Sequence, residues 1–175
     1  MELRNIREED FKDLYEIQFT SEMPEWAKLN APYFNEYKLI SYEEFLKSDE
    51  IEFALSDRCL GVYVDNKIIG QVTRYWENKD TRWLEIGIAI YDENSWGKGI
   101  GFKALNEWID KCFKDFPEIE RVGCTTWSGN QGMMKLAEKL GMLEEARIRK
   151  VRYWQGYYYD SMKYGILREE YYCKK

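Results

Sequence analysis

Three glycines alternate in Gly97-Lys98-Gly99-Ile100-Gly101, which follows Asn94-Ser95-Trp96 and precedes an amphipathic run. Glycine adopts positive φ freely, so a loop of this kind can turn tightly and aim several N–H groups at one point. Where such a loop opens a helix, the helix dipole adds partial positive charge at the same place. The chemistry this suits is the holding of a phosphate or pyrophosphate. The spacing is not that of the nucleotide P-loop, because Lys98 lacks a following Ser or Thr, nor is it G-x-G-x-x-G, because Phe102 follows the third glycine. A plain strand-to-helix turn would use the same glycines. Upstream, Glu85 interrupts the apolar run Trp83-Leu84-Glu85-Ile86-Gly87-Ile88-Ala89-Ile90. A carboxylate in apolar surroundings is pushed toward neutral pKa and suits a general base; the competing reading is a salt-bridged Glu at a sheet edge. The chain contains no histidine. Ser-His-Asp and Cys-His pairs are therefore excluded, and any proton moved near neutral pH must travel by carboxylate, Tyr, Cys, Lys, a terminus or water.

The remaining composition bounds the class. At 175 residues with 45% hydrophobic positions, the chain suits one domain over residues 1–175 and is too apolar for disorder. No apolar run approaches the roughly 18 residues of a membrane span, and Met1-Glu2-Leu3-Arg4 lacks a secretory pattern. A net charge of −6 argues against a nucleic-acid partner, whose phosphates call for clustered Lys and Arg. Cys59, Cys112, Cys124 and Cys173 are widely spaced with no C-x-x-C pair, so no metal site is expected, and reduced thiols in a cytoplasm are the simplest reading.

These residues need elements to position them. Periodicity predicts a short strand at 1–6 and a helix with Phe11, Leu14, Tyr15 and Gln18 on one face. An irregular aromatic stretch over 20–40 contains Pro24, Trp26, Pro32, Tyr33, Phe34 and Tyr37, and Ser41 with Glu44 forms a capping box for a short helix. From Phe53 the period shortens. Strands are predicted at 60–64 and 68–75 around a turn at Asp65-Asn66-Lys67, then a polar turn over 77–81 and a third strand at 83–91. After the glycine loop come a helix through Leu105, Trp108, Ile109, Cys112, Phe113 and Phe116, a strand at 121–127 and a helix at 130–140 ended by Gly141. Two long strands, 143–153 and 157–167, turn at Gln155-Gly156. The order implies a mixed α/β sheet.

Three stretches in this order resemble the GNAT N-acetyltransferase superfamily, most of all its ribosomal-protein-alanine acetyltransferase branch. They are the glycine loop; Thr126-Trp127-Ser128-Gly129-Asn130 with Glu138-Lys139-Leu140-Gly141-Met142; and the tail from Tyr158 to Glu170, similar to that branch's final strand. The resemblance covers most of residues 1–170. It implies an α/β (α+β) fold: a mixed, mostly antiparallel twisted sheet flanked by helices, with acetyl-CoA in a splay between the fourth and fifth strands. It further implies that the main chain of Trp96, Gly97, Lys98, Gly99, Ile100 and Gly101 holds the pyrophosphate, that Asn130 contacts the CoA arm, and that Ile88, Ala89 and Ile90 pair with the arm and polarise the thioester carbonyl. Trp96 replaces the family's usual Gln or Arg, and no metal is implied.

Acetyl transfer to an amine then requires a base, for which Glu85 or a water relay is expected, and an acid for the leaving thiolate. The family's Tyr is replaced by Ala137 and its branch's Ser by Met133, leaving Tyr164, with Tyr153 behind it, as the substitute acid. The acceptor is expected to lie against residues 20–40 and the turn near Gln155, with Glu25 and Trp26 lining a pocket for a cationic primary amine; the alternative is a solvated face with Trp26 capping the core. A non-catalytic CoA-binding sensor or interaction module on the same fold is the rival function, and a nucleotide-binding protein a third. The tyrosine-rich C-terminal strands offer an edge for a homodimer.

Overall fold

Apolar alternation turns into strands where the turn chemistry lets it end. In the computed structural model, which describes residues 1–30 and 37–173, Asp65 and Asn66 take φ of 50° and 63°. That left-handed pair suits the twist of a two-residue hairpin joining β2 (Cys59–Val64) to β3 (Lys67–Asn78). The other strands are β1 (Glu2–Arg4), β4 (Trp83–Ile90), β5 (Arg121–Trp127), β6 (Leu143–Trp154) and β7 (Tyr157–Leu167). The helices are α1 (Phe11–Gln18), α2 (Glu25–Asn30), α3 (Tyr42–Leu46), α4 (Asp49–Ala54), α5 (Ile100–Asp115), α6 (Gln131–Lys139) and α7 (Arg168–Cys173). The strands hydrogen-bond in the order β1-β2-β3-β4-β5-β7-β6; β4 and β5 run parallel, with Leu84 opposite Val122 and Glu85 opposite Gly123. The ladders β1–β2, β2–β3, β5–β7 and β6–β7 are antiparallel. This is the mixed, mostly antiparallel sheet with helices that the sequence implies.

The chain forms two compact units, the first made of Met1–Thr73 with Ile88–Ala104, the second of Arg74–Gly87 with Leu105–Lys175. In the first, α1 turns Phe11 and Leu14 into a core with Phe45, Cys59, Tyr63 and Ile68. The Ser41 capping box is present, its side chain accepting from Glu44 N–H. Residues 20–40 differ from the irregular stretch expected: 25–30 form α2, while Pro32, Tyr33 and Phe34 lie outside the described residues.

Asp10 is the electrostatic anchor of this unit. Its carboxylate accepts from both terminal nitrogens of Arg4 at 3.0 Å, from Arg7 N–H at 2.9 Å and from the Tyr63 hydroxyl at 2.9 Å. Burial alone would push Asp10 up, but these donors outweigh it and hold the carboxyl below its ordinary range. A depressed carboxylate stabilises the fold above its unfolded pKa and loses that contribution as pH falls through the folded value. The expected outcome is a urea midpoint that drops once pH passes below about 3.9, with a smaller drop in Asp10→Asn, read as unfolding curves at pH 5 and pH 2.5.

The second unit is built on α5, whose Trp108, Ile109, Cys112 and Phe113 are fully buried. Buried Arg74 pairs with Asp115 and lies 5.1 Å and 4.7 Å from the Trp108 and Phe116 ring centroids. The last strand ends at Leu167 as expected, but the end of the tail likened to the family's final strand departs from it: 168–173 are helical. Arg168 causes the change by spending its guanidinium on the carbonyls of Ile119, Phe113 and Phe116. Cys59, Cys112 and Cys124 are buried free thiols, whereas Cys173 is exposed. Burial pushes each of the three thiols up to about 12.

Candidate active site

In the first unit the glycine loop has the conformation its composition suits. Gly97 and Gly99 take φ of +72° and +78°, and a Cβ at either would meet nothing within 4 Å. Their surroundings are open, so it is the left-handed backbone that calls for glycine. Helix α5 begins immediately afterwards, with Lys103 N–H donating to Gly99 O at 3.1 Å. The first-turn amides, those of Ile100 and Gly101 among them, precede any intrahelical partner and carry the positive end of the dipole. Lys98 is exposed beside them. An open, glycine-lined helix N-terminus fits a pyrophosphate.

The approach to the loop is tied down. Asp92 accepts from Asn94 N–H at 3.1 Å and from the Ser95 hydroxyl at 2.6 Å, and these bonds hold its carboxyl below its ordinary range. Ile86 is buried, while Ile88, Ala89 and Ile90 are half-buried. Tyr91 N–H donates to Ile69 O on β3 at 2.9 Å, so by the alternation of strand backbone the main-chain groups of Ile90 and Ile88 face away from β3.

Of the two residues expected at the acceptor, Trp26 joins a cluster and Glu25 does not. Trp26 donates its indole N–H to Gln18 O at 3.1 Å and meets Tyr37 and Tyr91 edge-on at 5.6 Å and 4.9 Å. Glu25 is exposed and paired with Lys28. Behind the rings, Tyr91 donates to Gln71 Oε1 at 2.6 Å, and Gln18 Nε2 donates to the same oxygen at 3.4 Å. Burial drives the Tyr91 hydroxyl well above its ordinary pKa. This polar knot escapes sequence reasoning; its signal is two glutamines on apolar faces, Gln18 in α1 and Gln71 in β3.

In the second unit Glu85 is fully buried. Its Oε1 accepts from Arg121 Nη1 at 3.0 Å and from Trp83 Nε1 at 2.8 Å, and its Oε2 from the Thr125 hydroxyl at 3.0 Å. Arg121 also binds Glu145, with Nε 2.9 Å from Oε2. Gly123 and Gly165 face each other across the β5–β7 ladder. A Cβ on Gly123 would strike the Arg121 guanidinium and Glu85, and one on Gly165 would strike the Glu145 carboxylate. The two glycines are the floor on which the ion network lies. Arg121 and Glu145 are 36 and 60 positions away from Glu85 in the chain, and no local pattern announces them.

Asn130 caps α6, its Oδ1 accepting from Met133 N–H at 2.9 Å. Tyr164 is fully buried in β7, opposite Cys124, and its hydroxyl has no hydrogen-bond partner among the described residues. Burial raises its pKa and keeps it neutral.

Comparison with known proteins extends this geometry. The Acetyltransferase (GNAT) domain matches residues 1–143. The SPbeta prophage-derived uncharacterized N-acetyltransferase YokL of Bacillus subtilis (strain 168) is 28% identical over 129 residues, 74% of this chain and 68% of that protein. YdaF of the same organism, whose designation proposes a ribosomal N-acetyltransferase, is 30% identical over 110 residues, 63% of this chain and 59% of YdaF. The spermidine N-acetyltransferase of Vibrio cholerae, solved with CoA and spermine, superposes with a TM-score of 0.75 at 19% identity, covering 98% of this chain and 97% of that one, a likeness of fold. With the domain match spanning the glycine loop and strands β1 to β5, the chain belongs to the GNAT acetyltransferase family.

Proposed function

We propose that the protein moves the acetyl group of acetyl-CoA directly to a primary amine, of a small molecule or a protein N-terminus, within a ternary complex. The observation that carries this reading is the left-handed Gly97–Gly99 loop opening α5. In it the pyrophosphate binds the main chain of residues 96–101 and the acyl arm runs along β4 within Ile88–Ile90; the resemblance adds Asn130 as a contact of the CoA arm. The amine nitrogen attacks the thioester carbonyl carbon; the C–N bond forms, the C–S bond breaks, the amine gives up a proton and the departing thiolate gains one.

The proton routes follow from the environments. Both oxygens of Glu85 are engaged by fixed donors, which supports an anchoring carboxylate and leaves the amine's proton to water. Tyr164 keeps a neutral hydroxyl with an uncommitted proton, which supports it as the acid for the thiolate. For the acceptor, Trp26 with Tyr37 and Tyr91 offers aromatic faces that attract an ammonium group, Glu25 stands on the same helix as Trp26, and the net charge of −6 steers cations. Among the described residues no helix is long and apolar enough to cross a membrane, and the buried free thiols support a cytoplasmic setting. The exposed tyrosines 153, 157 and 158 beside the edge strand β6 support pairing with a second copy.

The test is release of free CoA thiol from acetyl-CoA across a panel of polyamines, small amines and peptides with free N-termini. Amine-dependent release is expected. Tight CoA binding with no release from any acceptor would favour a non-catalytic sensor.

A further inference from the structure

The residue that breaks the family pattern makes a specific contact with its side chain. Trp96 donates its indole N–H to the carbonyl oxygen of Ile90 at 2.8 Å, and the residue is 37% exposed. Ile90 is the last residue of β4, and its main-chain groups face away from β3. The indole therefore occupies a carbonyl on the side of the strand that faces away from β3.

The same side chain closes the approach to the glycine loop. Residues 93–95 form a single helical turn, capped at its start by Asp92. At its exit Trp96 N–H donates to Glu93 O at 3.0 Å, and the backbone becomes extended, with φ −71° and ψ 152°. Gly97 then turns left-handed. Main-chain bonds thus hold the turn, while the indole holds its exit to the strand. Removing this donor would leave the three glycine positions 97, 99 and 101 hinged to β4 through a segment free to swing, because glycine offers the backbone little resistance.

We propose that Trp96 is a positioning residue for the pyrophosphate: its indole fixes the start of the glycine loop to the end of β4 and so sets where the loop amides point. The inference rests on the acetyl-CoA reading above. It also assigns that side of β4 between two users, with the Ile90 carbonyl bound by the indole and the main-chain groups of Ile88 left for the ligand's arm.

Calorimetry with CoA and with dephospho-CoA, both of which carry the pyrophosphate, tests this on the wild type and on Trp96→Phe, which keeps a ring but loses the donor. Trp96→Leu is a second donor-less variant should the first fail to fold. Trp96→Gln restores an N–H at similar reach. The donor-less variants are expected to bind both ligands roughly three- to tenfold more weakly, the worth of one hydrogen bond, and Trp96→Gln to stay within about twofold of wild type. The KM for acetyl-pantetheine, which lacks the pyrophosphate, should not move. Wild-type affinity in the donor-less variants overturns the proposal, as does an equal loss in Trp96→Gln or an equal loss for acetyl-pantetheine. Failure of the unsubstituted protein to bind CoA at all is a different result, and it removes the acetyl-CoA reading itself.

Discussion

Arg121→Met is expected to lower the melting temperature by roughly 8–15 °C, because breaking a buried ion pair from one side costs about 3–5 kcal/mol. Glu85 has no exposed surface. Without the guanidinium its carboxyl keeps, among the described residues, the Trp83 indole and the Thr125 hydroxyl as donors. Glu145, by contrast, lies partly in water and loses little when left alone. The double variant Glu85→Leu with Arg121→Met removes both charges and should recover most of the loss, since apolar replacement of a whole buried pair is often close to neutral. Thermal melts of the two singles and the double decide the matter: a small effect in Arg121→Met alone would mean that the network is incidental. The floor beneath it gives a second handle on the same prediction. A side chain at Gly123 or Gly165 would displace the guanidinium or the Glu145 carboxylate, and Gly123→Val should reproduce the Arg121→Met shift.

Gly99→Val is expected to weaken CoA binding roughly five- to thirtyfold, because a left-handed backbone costs an L-residue about 1–2 kcal/mol and a β-branched one pays most. Space is not the obstacle, since a Cβ at this position meets nothing within 4 Å; the obstacle is φ of +78°. The penalty is relieved by swinging the loop out of its binding shape, so affinity falls while the melting temperature of this exposed segment barely changes. Gly99→Asn, a residue that tolerates the left-handed region, should keep affinity within about threefold. Equal loss in Asn and Val would point to contact with the ligand instead of backbone conformation. Titration calorimetry on the three proteins separates the two.

Where the sequence was legible, a local rule and a long-range demand agreed. The Asp65-Asn66 turn, the Ser41 capping box and the positive φ of Gly97 and Gly99 are each written within a few residues, and each is found. The helices over 25–30, 49–54 and 168–173 are short, and their formation depends on distant partners: Trp26 on Gln18 and Tyr91, Arg168 on carbonyls at the end of α5. Strand β3 runs on to Asn78, past the expected start of the polar turn. In the site, loop residues declared themselves by type, whereas Glu85 drew attention as a charge in an apolar strand without revealing what held it. Arg121 and Thr125 reach it, and Glu145 reaches Arg121, only once the strands are paired, and Trp96 meets Ile90 only after the chain has doubled back. Patterns of period two or 3.6 carry no information about such meetings.

The three interior thiols bear on an enzyme whose product is itself a thiol. Disulfide exchange proceeds through the thiolate, and Cys59, Cys112 and Cys124, each pushed up to about 12, present almost none at neutral pH. The folded protein should therefore resist mixed-disulfide formation with oxidised CoA at these positions and confine it to Cys173, near the C-terminus. A chromogenic disulfide reagent added to native enzyme should titrate close to one thiol per chain, leaving the rest of its signal to report on the CoA set free.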